Sequence, residues 1–201
     1  MNNKYQEKIE KEITEVINPI YNNWNFILEK EMEVLLKKFG NICRDETSLL
    51  RKSILANNEL VEILLKIGDK YYNNSKILIE IVSSIDNIHK RYDLEITDKV
   101  FQFLIAQTKN NKVNFYVSIF ITELPLFVNY DHKWDYIMSI PKIAPMKKSI
   151  NTFYRIISNN ISSIPEIYKN NVIKIFKTVL DQSNLHEVTI KNYKKIINIL
   201  E

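Results

Sequence analysis

Only two of the 201 residues are glycine. Sandwiches, barrels and dinucleotide-binding sheets use glycine repeatedly, at hairpin turns with positive φ and in phosphate loops, whereas short joints between helices are made by Asn, Asp, Ser and Pro. The shortage argues for an all-α chain. Cysteine is scarcer still: Cys43 is alone, so it forms no internal disulfide and nucleates no metal cluster, which fits a reducing compartment. Runs of 18 apolar residues are missing, and the opening MNNKYQEKIEKEITEVI is charged throughout, without the apolar stretch of a signal peptide. These absences lead to the expectation of a cytoplasmic protein with no membrane anchor.

Catalytic motifs are missing as well. His89, His132 and His186 lie far apart, and none has the His or Cys neighbour at helical spacing that a zinc site needs. There is no G-x-S-x-G elbow, and neither glycine lies near a phosphate-loop pattern. Cys43 stands beside Arg44, which could lower its pKa, but a thiolate nucleophile also needs a positioned histidine. The expectation is a protein without enzymatic activity, metal or cofactor.

What is present is helical periodicity. Ile9, Ile13, Val16 and Ile20 recur at steps of three and four, as do Trp24, Leu28, Met32, Leu35 and Phe39, with Gly40 at a C-cap position. Asp45 or Thr47, Asn58, Ser75, Thr97, Asn111 and Asp131 are candidate N-caps; Pro125 closes one helix and Pro165 opens another that runs to about Asp181. About ten or eleven helices with short joints follow. Runs such as SKILIEIVSSI and NFYVSIFITELPLF are apolar on nearly every side, as helices covered by neighbours on both sides would be.

Starts near Ser75, Asn111 and Met146 are 36 and 35 residues apart, and each opens a helix, a turn and a second helix. By period and pairing the chain resembles a short HEAT- or armadillo-like α-solenoid. The resemblance implies a single all-helical domain over residues 1–201, with capping helices in 1–44, helix-pair repeats in 45–182 and a capping helix in 183–201. The alternative is an irregular helical bundle.

The stretch ELPLFVNYDHKWDYIMSIPKIAP, residues 123–145, contains three prolines. Much of it reads as a joint: Pro125 ends a helix, Asp131 caps the next, and Pro141 and Pro145 keep the following chain extended. Tyr130, Asp131, His132, Lys133, Trp134 and Tyr136 remain as a candidate partner-binding surface, because Trp and Tyr give large contact area at low entropic cost. Of these, Trp134 is the one that also suits a core position. Asp131 and Asp135, one helical turn apart, form the one acid couple that warrants inspection.

Charge is uneven. Residues 1–100 hold 15 Lys+Arg against 17 Asp+Glu, and residues 101–201 hold 13 against 7. Lys142, Lys147, Lys148 and Arg155 enter one helix, Lys169, Lys174 and Lys177 the next, and Lys191, Lys194 and Lys195 the last. Turned to one face, they would track phosphates as the basic groove of HEAT-like DNA glycosylases does.

In size, helicity and freedom from motifs the chain is similar to bacterial immunity proteins. That likeness implies a protein partner, such as a nuclease toxin, whose active site is occluded. Nucleic-acid binding through the basic C-terminal half is the alternative, and a poxvirus Bcl-like host-interaction protein a weaker one.

Overall fold

The computed structural model describes residues 3–182 and 184–201. Every regular element among them is helical, and none is a strand. The chain divides into two compact units, one ending at Phe120 and the other formed by Ile121–Glu201.

The first unit begins with α1 (Asn3–Glu12), which passes through a π-helical turn at Ile13–Ile17 into α2 (Asn18–Asn23). The cause is Pro19. A proline inside a helix removes one N–H and crowds the carbonyl four residues earlier, here that of Glu15, and a wider turn relieves both. Next come α3 (Glu29–Arg44), α4 (Leu49–Leu55), α5 (Asn58–Lys70), α6 (Ser75–Tyr92), α7 (Asp98–Gln107) and α8 (Asn114–Ile121), the last crossing into the second unit. α6 is the centre of this unit, packed against α3, α4 and α5. It buries Ile77, Leu78, Ile81, Val82, Ile85 and Ile88, three- and four-residue steps that carry one apolar stripe along the helix.

Sequence located most ends to within a few residues, and the cap chemistry shows why it missed some. Thr97 caps α7 through its side chain, but Ser48, Asn57 and Asn74 cap α4, α5 and α6, each at or within a few residues of the expected position. Gly40 corrects a larger expectation. It lies within α3, buried, where a Cβ would stand 2.6 Å from Glu80 Oε2. Its role is close helix packing rather than a left-handed cap. Gly68 in α5 is the same device: a Cβ there would meet the Phe103 ring at 2.8 Å.

The two glycines should therefore respond differently to alanine. Ala recovers up to about 1 kcal/mol of helix propensity. Against Phe103, a rigid ring, overpacking costs about 1–3 kcal/mol, so Gly68→Ala is expected to lower the urea midpoint. Gly40→Ala meets the end of a flexible Glu80 side chain and should change it less.

The second unit contains α9 (Pro125–Val128), α10 (Lys133–Ser139), α11 (Met146–Asn159), α12 (Glu166–Gln182) and α13 (Glu187–Leu200). Pro125 opens α9 instead of closing a helix, which its fixed φ and missing N–H favour at a first turn. Pro141 lies in a 3-10 turn at Ile140–Lys142, while Pro145 is extended as expected. Phe153, Phe176 and Tyr193, one each from α11, α12 and α13, form the aromatic centre, with ring centroids 5.4 and 4.8 Å apart along that chain. Of the expected capping segment, Ser183 is outside the described residues.

Candidate partner-binding site

Residues 125–139 make two short helices with a turn between them. Backbone bonds from Phe127 N to Leu124 O, Tyr130 N to Phe127 O and Lys133 N to Tyr130 O wind the turn tightly. Asp131 does not cap α10; His132 occupies that position and its side chain makes no cap bond. Lys133 instead serves the preceding helix: its Nζ reaches back to donate to the Val128 carbonyl at 2.6 Å, which satisfies an oxygen at the end of α9.

Phe127 is the buried hub of this surface. The Tyr130 ring stands 6.0 Å from it and the Tyr136 ring also 6.0 Å, the latter edge-on at 74°. Tyr130 in turn meets His132 edge-on at 5.8 Å. Such T-shaped contacts set the positive edge of one ring against the negative face of another, so they fix orientation as well as area. Trp134 is 9% exposed and stacks on Tyr168 of α12, with centroids 6.2 Å apart and planes 25° from parallel. It belongs to the core side of the cluster. Tyr136 is half-buried, and burial pushes its phenol pKa far up.

Polar groups complete the outer edge. Asp135 accepts from the Tyr168 hydroxyl at 2.6 Å and lies 3.7 Å from His132 Nδ1. The carboxylate raises the Tyr168 pKa, mainly through that hydrogen bond. His132 and Asp135 side chains remain 73% and 65% exposed. Thus His132 and Asp135 face solvent, Tyr130 and Tyr136 are half-buried against Phe127, and Phe127 and Trp134 are buried. Asp131 is exposed beside them, and Asp135 is engaged by the Tyr168 hydroxyl.

The other basic residues of the second unit lie on or just before α11, α12 and α13, and Lys191, Lys194 and Lys195 together line a groove along α13. Arg155 pairs with Glu123, and Lys177 with Glu201 at 2.8 Å. Lys142, Lys147 and Lys148 precede or begin α11; Lys174 lies on α12; Lys194 and Lys195 lie on α13. All six are exposed without an ion-pair partner among the described residues. Lys169 pairs with Glu166 on its own helix, and Lys191 is exposed on α13.

The histidines have separate tasks. His89 Nδ1 is 2.7 Å from the Leu94 carbonyl, and His186 caps α13 by accepting from Val188 N. Among the described residues no group of three His, Cys, Asp or Glu side chains could hold a metal ion. Cys43 corrects the expectation drawn from Arg44: the thiol is fully buried, and burial pushes its pKa up to about 12 against the weaker pull of Arg44. It is no thiolate at neutral pH.

Two residues escaped the sequence reading. Tyr168 is 33 positions from its partner Asp135, and no spacing rule connects them. Arg51, in the first unit, is 1% exposed. Its Nη2 donates to both Glu12 oxygens at 2.8 and 2.9 Å and to Asp45 Oδ2 at 3.0 Å, and its Nη1 donates to the Glu46 carbonyl at 2.7 Å. Lys8 shares Asp45 at 2.5 Å. The cluster ties α1 to the segment before α4, and that work occupies its carboxylates.

No family model matches the chain, and no curated protein or solved structure is significantly similar to it. No helix among the described residues is long and apolar enough to cross a membrane.

Proposed function

We propose that the chain is a non-enzymatic protein-binding module, of the immunity or inhibitor kind, that acts in the cytoplasm by occluding the active site of a partner such as a nuclease toxin. The observation that supports this reading is the surface at residues 130–136. There exposed His132 and Asp135 and half-buried Tyr130 and Tyr136 are held over the buried rings of Phe127 and Trp134. Aromatic groups already held in place lose little entropy on binding, which is why they dominate interface hot spots. Of the expected helix pairs, those at 75–109 and 146–181 are each present as two helices, α6 with α7 and α11 with α12, whereas the one at 112–140 is divided into the short helices α8, α9 and α10.

The experiment is affinity capture from the native source with the intact chain and with Tyr130→Ala and His132→Ala. His132 is exposed, so His132→Ala is expected to melt like the parent, whereas Tyr130→Ala, which removes a ring half-buried against Phe127, is compared with the parent below the melting temperature of both. Loss of a hot-spot side chain should weaken capture by about tenfold or more. Capture unaffected by either substitution would refute the assignment.

A second reading is favoured by one observation, the seven lysines of the second unit (Lys142, Lys147, Lys148, Lys174, Lys191, Lys194 and Lys195) that are exposed without an ion-pair partner among the described residues, in a unit whose 11 Lys+Arg face only 7 Asp+Glu. Phosphate contacts release counterions, so duplex DNA binding would fall steeply with salt. A salt titration against nonspecific duplex separates the readings: the protein-binding proposal expects weak association without a steep slope.

A further inference from the structure

The outer side of α3 carries an apolar stripe that nothing in the first unit covers. Ile27, Val34 and Leu35, with Lys30, Glu31 and Lys38 at their edges, line an open groove of about 530 Å³. Val34 is 58% exposed, and at the head of the helix Phe26 and Leu28 are 86% and 69% exposed. Those two side chains belong to an anchored segment. Lys70 Nζ donates to the Asn25 carbonyl at 2.7 Å and the Tyr71 hydroxyl to the Ile27 carbonyl at 2.8 Å, while Lys70 also lies over the Trp24 ring at 5.9 Å. The backbone on both sides of Phe26 is fastened from α5, so Phe26 and Leu28 are held outward.

The charges on this stripe indicate what covers it. Glu31 and Lys38 flank Val34 and Leu35 symmetrically, three residues before the one and three after the other, and neither has an ion-pair partner among the described residues. Residues seven apart return to the same face of a helix after two turns. If a second α3 lies antiparallel with Val34 against the second copy's Leu35, each Glu31 meets the second copy's Lys38, and two equivalent ion pairs close around one apolar centre. A twofold axis requires this self-complementarity, because the same patch must serve on both sides. From this pattern we infer that the α3 face is a homodimer interface, with a second copy of the chain as its occupant.

Sedimentation of the intact protein over a wide concentration range, with charge reversal at the paired positions, tests the inference. The parent is expected to reach twice the 23.9 kDa chain mass. Glu31→Lys sets lysine against lysine twice per dimer, and Lys38→Glu sets glutamate against glutamate; each should raise the dissociation constant about tenfold or more. The double reversal Glu31→Lys with Lys38→Glu restores opposite signs and should restore the dimer. Val34→Glu, which puts a charge at the apolar centre, should leave a monomer. Because all three side chains are exposed, circular dichroism and melting should match the parent, and either single reversal suffices if the other fails to fold. A parent that stays monomeric at every concentration would overturn the inference, as would a dimer indifferent to Val34→Glu or a double reversal that does not restore association.

Discussion

Arg51→Met is expected to destabilise the protein by about 3–5 kcal/mol, measured as a drop in urea midpoint at neutral pH. The reason is the asymmetry of buried ion pairs. Assembled, such a pair adds little over a well-packed apolar substitute, because desolvation offsets attraction; with one partner removed, the other is left charged and poorly solvated. Here the loss would leave the Glu12 carboxylate, only 15% exposed, with the more distant Lys8 at 3.9 Å in place of its two close Arg51 bonds, and withdraw one of two cations from Asp45. The Glu46 carbonyl would also lose its donor. Arg51→Met combined with Glu12→Gln should recover part of the loss, since the stranded charge is then gone.

The same cluster predicts the acid response. The hydrogen bond from Lys8, with backbone and Arg51 contacts, holds the Asp45 carboxyl well below its ordinary value of 3.8. A depressed carboxyl contributes stability that is fully present above the unfolded-state pKa and lost as pH falls toward the folded-state value. Stability should therefore fall as the medium is acidified through and below the ordinary carboxylate range, and fall less in the Arg51→Met variant.

Trp134→Ala should be among the large losses in the second unit. Truncating a buried large aromatic costs about 3–5 kcal/mol, of the order of a third of what holds a typical domain together. Trp134 is 9% exposed and stacked on Tyr168, so its removal opens a void between α10 and α12 and loosens the platform under Tyr130 and His132. The variant should melt early and also lose partner capture, whereas His132→Ala loses capture alone. That divergence separates support from contact.

How much of this was readable in the chain depends on the range of the interaction. The all-α class followed from two glycines and from local periodicity, and both are properties of neighbouring residues. Thr97 was found as a cap because capping acts over three positions, from its own side chain to Val100 N. Gly40 was misplaced for the opposite reason: what forbids a Cβ there is Glu80, forty residues on. Arg51 was unremarkable in sequence because its partner Glu12 is 39 residues away. The 130–136 cluster was visible as an unusual density of aromatic and polar side chains beside prolines. Its division into support and edge was not, since it depends on Phe127 below and on Tyr168 from another helix. Cys43 shows the same limit, as adjacency to Arg44 gave the wrong sign until burial was known.

The most direct test of the account is capture by the intact protein, before and after nuclease treatment of the lysate, set beside capture by the Tyr130→Ala and His132→Ala double variant. The account predicts a protein partner that is retained after nuclease and released by the double variant at a temperature where both baits are folded by circular dichroism. Retention that vanishes with nuclease, or a partner held equally by both baits, would contradict it.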